Sequence, residues 1–263
     1  MIRQLKRILQ LLQSKGLNNY LSKTITLLIK TRLKNFSNIQ YYFEGKSGLE
    51  IGGPSCVFQK KGFIPVYPII KNLDGCNFWY KTVWEGELSS GKNYRYEKNK
   101  IGYQYISEAT NLDFSDEQKY DFLISSNCLE HIANPLKAVK EWIRVLKNGG
   151  LLVLVLPNKA FNFDHKRKDT TFSHLLADYQ NDVNEDDLTH LEEILVFHDL
   201  KIRKPYENFD HFKERCFLNR ENRTMHHHIF NTELLKEICE YFNLEILLVE
   251  GGYENIIVGK KKS

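Results

Sequence analysis

The chain reads as an α/β fold built on a largely parallel sheet, and three observations predict it. Phe122–Ile124 and Leu151–Leu156 are unbroken apolar runs, the pattern of strands buried on both faces. Between them Leu136, Val139, Trp142, Ile143 and Leu146 recur at helical spacing, with Pro135 suited to the first turn and Gly149-Gly150 as the stop. Strand, helix and strand in about forty residues make a βαβ unit, whose crossover is right-handed. The third observation is Ser47–Ser55, a short apolar strand that ends in Glu50 and the Gly52-Gly53 turn. Glycine there lets a backbone approach a ligand closely and adopt positive φ.

The remaining elements follow in order. From Met1 to Phe43 there is no acidic residue, yet eight lysines and arginines fall there. Ile2, Leu5, Ile8, Leu9 and Leu12 form one apolar face and Leu21, Ile25, Leu28 and Ile29 another, so two basic amphipathic helices broken at Gly16 are expected. They suit a packed helical cap, adsorption to an anionic membrane surface, or a partner or dimer contact. Phe58–Ile70, with Pro65 and Pro68, is poorly helical. Near the end, Asn231 or Thr232 caps a helix through Phe242, and Leu244–Val249 and Asn255–Gly259 read as strands joined by a Gly251-Gly252 turn.

Composition excludes several classes. The 263 residues and 42% hydrophobic content suit one soluble globular domain with elaborations. No run of about twenty apolar residues appears, and the N-terminus lacks a signal-peptide layout. Five scattered cysteines without a CxxC pair argue against a disulfide framework and for a reducing cytoplasm. The location expected is cytoplasmic, with peripheral contact at the inner membrane face as the open alternative. A net charge of +4 is too small to point to nucleic acid.

The chain resembles the class I S-adenosylmethionine-dependent methyltransferases, in particular the small "type 11" group. The resemblance lies in Glu50-Ile51-Gly52-Gly53, Glu108-Ala109-Thr110-Asn111-Leu112, Tyr120-Asp121-Phe122, Leu129-Glu130-His131-Ile132 and Val145-Leu146-Lys147-Asn148-Gly149-Gly150. It implies a Rossmann-like sheet of seven strands with helices on both faces, a domain over 44–263 behind an extension over 1–43, and a substrate-binding insertion over 160–230. It also implies S-adenosyl-L-methionine as cofactor, held by Glu50, Gly52 and Gly53, by Asp74 at the ribose (Glu85 being the competitor), by Glu108, Ala109 and Leu112 at the adenine, and by Asn127 and His131. The usual third glycine is replaced by Pro54-Ser55, so the loop must differ from the common form. Sequences of this overall pattern look similar to enzymes of surface-polysaccharide biosynthesis, which implies a sugar, nucleotide-sugar or phosphate-bearing acceptor.

Eight of the nine histidines fall between His165 and His228. Methylating a hydroxyl requires an aligned acceptor and a base for its proton, and histidine titrates nearest neutrality. The candidates are His165 with Asp164, His190, and His198 with Asp199. Arg167, Arg215 and His227 are the candidates for holding an acceptor. No metal site is assigned: HExxH and paired-cysteine spacings are absent, and the adjacent His226, His227 and His228 diverge on any regular backbone. A metal held by these residues, or by His190 with His198, is the sharper alternative. A non-catalytic binding module acting through the basic N-terminus is the rival reading. A nicotinamide-dependent oxidoreductase is disfavoured, because the GxGxxG fingerprint is incomplete.

Overall fold

A computed structural model describes Leu33, residues 35–202 and residues 208–263. The two basic helices expected before residue 33 lie outside the described residues. The main sheet has eight strands: β1 (Ser47–Ile51), β2 (Asn72–Asn77), β5 (Gly91–Glu97), β6 (Lys100–Ile106), β7 (Tyr120–Ser126), β8 (Leu146–Pro157), β9 (Leu244–Gly251) and β10 (Glu254–Lys261). Their order is β5-β6-β2-β1-β7-β8-β10-β9, and a separate two-stranded ribbon joins β3 (Lys81–Thr82) to β4 (Gly86–Glu87). The five strands from β6 to β8 run parallel, while β5 and the β9–β10 hairpin are antiparallel. The eighth strand, beyond the seven expected, is β5, which folds back on β6 at the edge.

Period-two alternation along β8 divides the core. Leu152, Leu154 and Leu156 point to one face, where they join the helices α2 (Pro135–Val145) and α7 (Thr232–Tyr241) through Leu136, Trp142, Leu235 and Ile238. Leu151, Val153 and Val155 point to the other, against Phe43, Phe58, Ile64 and Tyr67. The one-turn helix α1 (Phe36–Ile39), 3-10 turns and the irregular stretch through residue 70 cover that second face.

The predicted helix starts as expected, with the Asn134 side chain accepting from the Lys137 amide at 3.1 Å. It ends earlier. Leu146 already pairs with Tyr120 in β8, and the expected stop at Gly149-Gly150 lies inside that strand, at a register shift. The helix end is closed by Lys261, whose Nζ donates to the carbonyls of Ile143 and Leu146 at 2.9 and 2.8 Å.

Between β8 and α7 the chain leaves the sheet. This excursion carries α3 (Phe172–Gln180), α4 (Leu191–Phe197), α5 (Phe209–Phe217) and α6 (Asn219–Asn222). It starts at the carboxyl end of β8, the end at which β1 and β7 also finish.

Trp142 is fully buried and its indole N–H donates to the Ala109 carbonyl at 2.8 Å, tying α2 to the loop after β6. Trp142→Ala should cost about 3–5 kcal/mol, read as a lowered midpoint in urea unfolding; a change under about 1 kcal/mol would show that the loop carries no load on this contact.

Candidate active site

Open α/β sheets bind ligands outside the carboxyl ends of their strands, where the strand order reverses. A cavity of about 510 Å³ opens at that place, lined by residues that follow β1 (Gly52, Pro54, Ser55), β2 (Asn77, Phe78), β6 (Ser107–Thr110), β7 (Asn127, Cys128) and β8 (Asn158). Its size suits a small-molecule site. The excursion after β8 closes it with Phe161, Phe163, Glu185, Arg223 and His226, and the β10 strand adds Glu254.

The Gly52-Gly53-Pro54-Ser55 loop is set by the strand before it. Glu50 is fully buried; its carboxylate accepts from the Tyr67 hydroxyl at 2.6 Å, the Tyr94 hydroxyl at 2.7 Å and the Ser55 amide at 3.0 Å. Burial pushes its carboxyl up to about 7, although all three hydrogen bonds favour the ionised form. A Cβ on Gly53 would stand 2.3 Å from Glu50 Oε1, so only glycine admits this carboxylate behind the loop. Gly52 has φ +75, and the Gly53–Pro54 peptide is cis. Glu50 and Gly53 therefore build the wall without facing the cavity, whereas direct contact was expected of both.

The other expected cofactor residues divide. Glu108, Ala109, Asn127 and His131 line the cavity. Asn127 holds a left-handed backbone at φ 49, which asparagine tolerates, and its amide donates to Val155. Leu112 is buried behind them, its amide donating to Glu141. Asp74 lies off the cavity, because β2 continues three residues beyond it to Asn77. Its carboxylate accepts instead from the Tyr103 amide at 3.0 Å and the Tyr120 hydroxyl at 3.2 Å. Its competitor Glu85 does line the cavity, and burial raises its carboxyl.

The histidine pairings also differ from those read along the chain. Asp164 was coupled to its neighbour His165, and Asp199 to His198. The fold exchanges the partners. His165, exposed, bonds Asp199 at 3.0 Å; Asp164, almost fully buried, bonds His226 Nδ1 at 2.6 Å. His226 enters the cavity, beside His131 at a ring separation of 4.6 Å. Burial works to raise the Asp164 carboxyl, but the charge and hydrogen bond of His226, with Arg167, overcome it and hold it at about 2. His198 is packed between the rings of Phe163 and Phe212, away from the cavity wall. His190 faces His174, also outside the cavity.

The expected acceptor-binding residues are occupied elsewhere. Arg167 is buried, bonded to Asp164 and to the carbonyls of His226 and His227. His227 is buried against Asn219 at 2.9 Å, and Arg215 lies over the Phe212 ring. Among the described residues the cation that does reach the cavity is Arg223, which the sequence reading passed over. It pairs with Glu108 at 2.6 Å and Glu185 at 3.1 Å and lies over Phe78. Glu130 was missed as a site residue too. Its carboxylate is buried at the cavity edge with no partner from another described residue, and burial raises it well above the usual range. His226 had one signal in the sequence, the His226-His227-His228 run, but adjacency could not say which of the three faces the site.

Residues 75–154 match the family model described as "Methyltransferase domain". Over that stretch the chain is similar to a methyltransferase domain, and the cofactor that such a domain implies is S-adenosylmethionine. No curated protein matches the chain. Similar solved structures include SAM-dependent methyltransferases of Aquifex aeolicus (13% identity, 86% of this chain and 89% of that one, TM-score 0.44) and Thermotoga maritima (14%, 97% and 99%, 0.44). A third comes from Methanosarcina mazei (14%, 86% and 97%, 0.43). Likeness of this degree carries no weight beyond the family match.

The cavity fits that cofactor. Among the described residues five glutamates (Glu85, Glu108, Glu130, Glu185, Glu254) line it against one arginine, which suits a ligand bearing a sulfonium and an ammonium. The Ser126 hydroxyl and the Glu130 carboxyl stand there with no hydrogen-bond partner from another described residue.

A carboxyl raised by folding holds more protons in the folded state, so its contribution to stability declines as pH rises from about 4.5 to about 7. Relative to Glu50→Gln, the wild type should lose roughly 3 kcal/mol between about pH 5 and about pH 8. Denaturant midpoints of both proteins at the two pH values check this, and parallel pH profiles would refute the buried-carboxylate assignment.

Proposed function

We propose that the protein transfers a methyl group to a hydroxyl of a small polar acceptor, with His226 as general base and Asp164 as the residue that positions it. The observation that carries this reading is the buried Asp164–His226 pair opening into the cofactor cavity. When bound, S-adenosylmethionine supplies an electrophilic methyl group on a good leaving group. The residues that would hold it are the Gly52–Ser55 loop, Asn77, Glu85, Ser107–Thr110 and Asn127.

The rest of the chemistry belongs to the side chains. Asp164 Oδ2 accepts from His226 Nδ1–H and so leaves the lone pair on Nε2. Nε2 takes the hydroxyl proton as the acceptor oxygen attacks in line, and the Asp164 carboxylate stabilises the imidazolium that results. His131 Nδ1 bonds the Met225 carbonyl at 3.0 Å, and burial, with His226 beside it, pushes this imidazole well below its ordinary value. It stays neutral and offers Nε2 as a hydrogen-bond acceptor for a second hydroxyl.

The acid-rich lining supports a neutral polyhydroxylic acceptor, a sugar or sugar derivative, over a phosphate-bearing one. Arg223, the cation at the wall, is already neutralised by two glutamates. A precursor of a surface polysaccharide is consistent with that choice of acceptor.

His226→Ala should lower turnover by about 10²–10⁴-fold while affinity for S-adenosylhomocysteine stays within about threefold. Asp164→Asn should lower kcat and displace the pH–rate profile. Product formation from labelled S-adenosylmethionine with a panel of sugars, sugar nucleotides and sugar phosphates checks both claims. Undiminished turnover in His226→Ala would remove it as the base, and a preference for phosphorylated acceptors would overturn the neutral-sugar reading.

A further inference from the structure

Outside the cavity, three imidazoles and a carboxylate converge on one point. His174 and Asp178 stand one turn apart on α3 and share a face of it. His190 directly precedes α4, and His228 comes from the extended stretch before α7. His174 Nε2 lies 3.0 Å from His190 Nε2 and 3.3 Å from Asp178 Oδ2, and His228 Nε2 lies 3.0 Å from the same Asp178 oxygen. All four donor atoms fall within 4.8 Å of one another.

We propose that His174, Asp178, His190 and His228 bind a single zinc ion in a structural, four-coordinate site. Bonds of about 2.0–2.1 Å in a tetrahedron place neighbouring donors about 3.3 Å apart, close to the three contact separations of 3.0–3.3 Å. Imidazole with one carboxylate is a donor set that suits zinc and does not suit magnesium or calcium, which take oxygen. Four protein donors complete the tetrahedron, the mark of a structural ion rather than a catalytic one. Burial is graded in keeping with an entry path: the His228 side chain is fully buried, Asp178 and His190 are 13% exposed, and His174 is 39% exposed.

The ion has a clear structural task. It joins α3, the turn before α4 and the 226–228 stretch, three separate pieces of the excursion. His226, two residues before His228, lines the cavity, so the ion holds the segment that carries it. This revises the expectation that no metal is assigned. It is independent of the acceptor and of the identity of the base.

The test uses the full chain, stripped with chelator and then titrated with Zn²⁺ and, separately, with Mg²⁺. The expected result is one Zn²⁺ per chain, a rise in thermal midpoint, no response to Mg²⁺, and loss of more than about 100-fold in Zn²⁺ affinity in His174→Ala and Asp178→Asn. Replacement by Co²⁺ should give the intense visible absorption of a tetrahedral ion, a readout that needs no variant to fold. S-adenosylhomocysteine binding by the stripped chain serves as the control for an intact domain. No Zn²⁺ binding by a chain that passes that control would overturn the proposal and leave a hydrogen-bonded histidine cluster. Binding untouched by both substitutions would also overturn it, and would move the ion to Glu130, His131 and His226 at the cavity.

Discussion

The side that closes the cavity depends on one buried cation. Arg167 is 2% exposed, and its guanidinium reaches Asp164, the Glu193 carboxylate and the carbonyls of His226 and His227. Stripping such a group of water is costly, and it is tolerated only where carboxylates and carbonyls replace the lost hydration. Those same bonds fix the backbone of residues 226 and 227. With the two carbonyls held, His226 projects into the cavity, His227 packs against Asn219, and His228 reaches Asp178. Three adjacent histidines thereby take three different positions. The pattern that made the run look unsuited to a common ligand is what lets it serve two places at once.

The opposite wall rests on a second buried charge, organised differently. Among the described residues Glu50 has no cation beside it; two tyrosine hydroxyls and one amide hold it. Hydrogen bonds without a counter-charge offset only part of the desolvation, which is why its carboxyl rises. Tyr67 belongs to the irregular cover of the sheet and Tyr94 to the edge strand β5, so the carboxylate ties both to the loop that borders the cavity. The arrangement explains how Pro54 can stand where a glycine is usual. The loop is positioned from behind, through Glu50 and Ser55, rather than by amides it would otherwise present.

Strand and helix patterns were legible because burial imposes them residue by residue. The alternation in β8 and the helical spacing of α2 appear in any reading of the chain, and so does the poor helicity of residues 58–70. Positions that follow directly from a strand end were legible too, and Glu108, Asn127 and His131 do line the cavity. Asp74 was misplaced because a strand's last residue depends on how far its neighbours extend, and β1 and β6 carry β2 on to Asn77. The end of α2 was misread for a similar reason: a lysine from the last strand, more than a hundred residues away, closes it.

Local periodicity in the sequence determined β1, β7, α2, β8, α7 and the closing hairpin, and the chirality of strand crossovers set how the central βαβ unit connects. Only the tertiary structure decided which histidine meets which carboxylate. Hydrogen bonds act over about 3 Å in space and take no account of chain distance. Asp164 therefore passes over His165, its neighbour, for His226, sixty-two residues on. The same fold gathers His174, Asp178, His190 and His228 from three segments into one cluster.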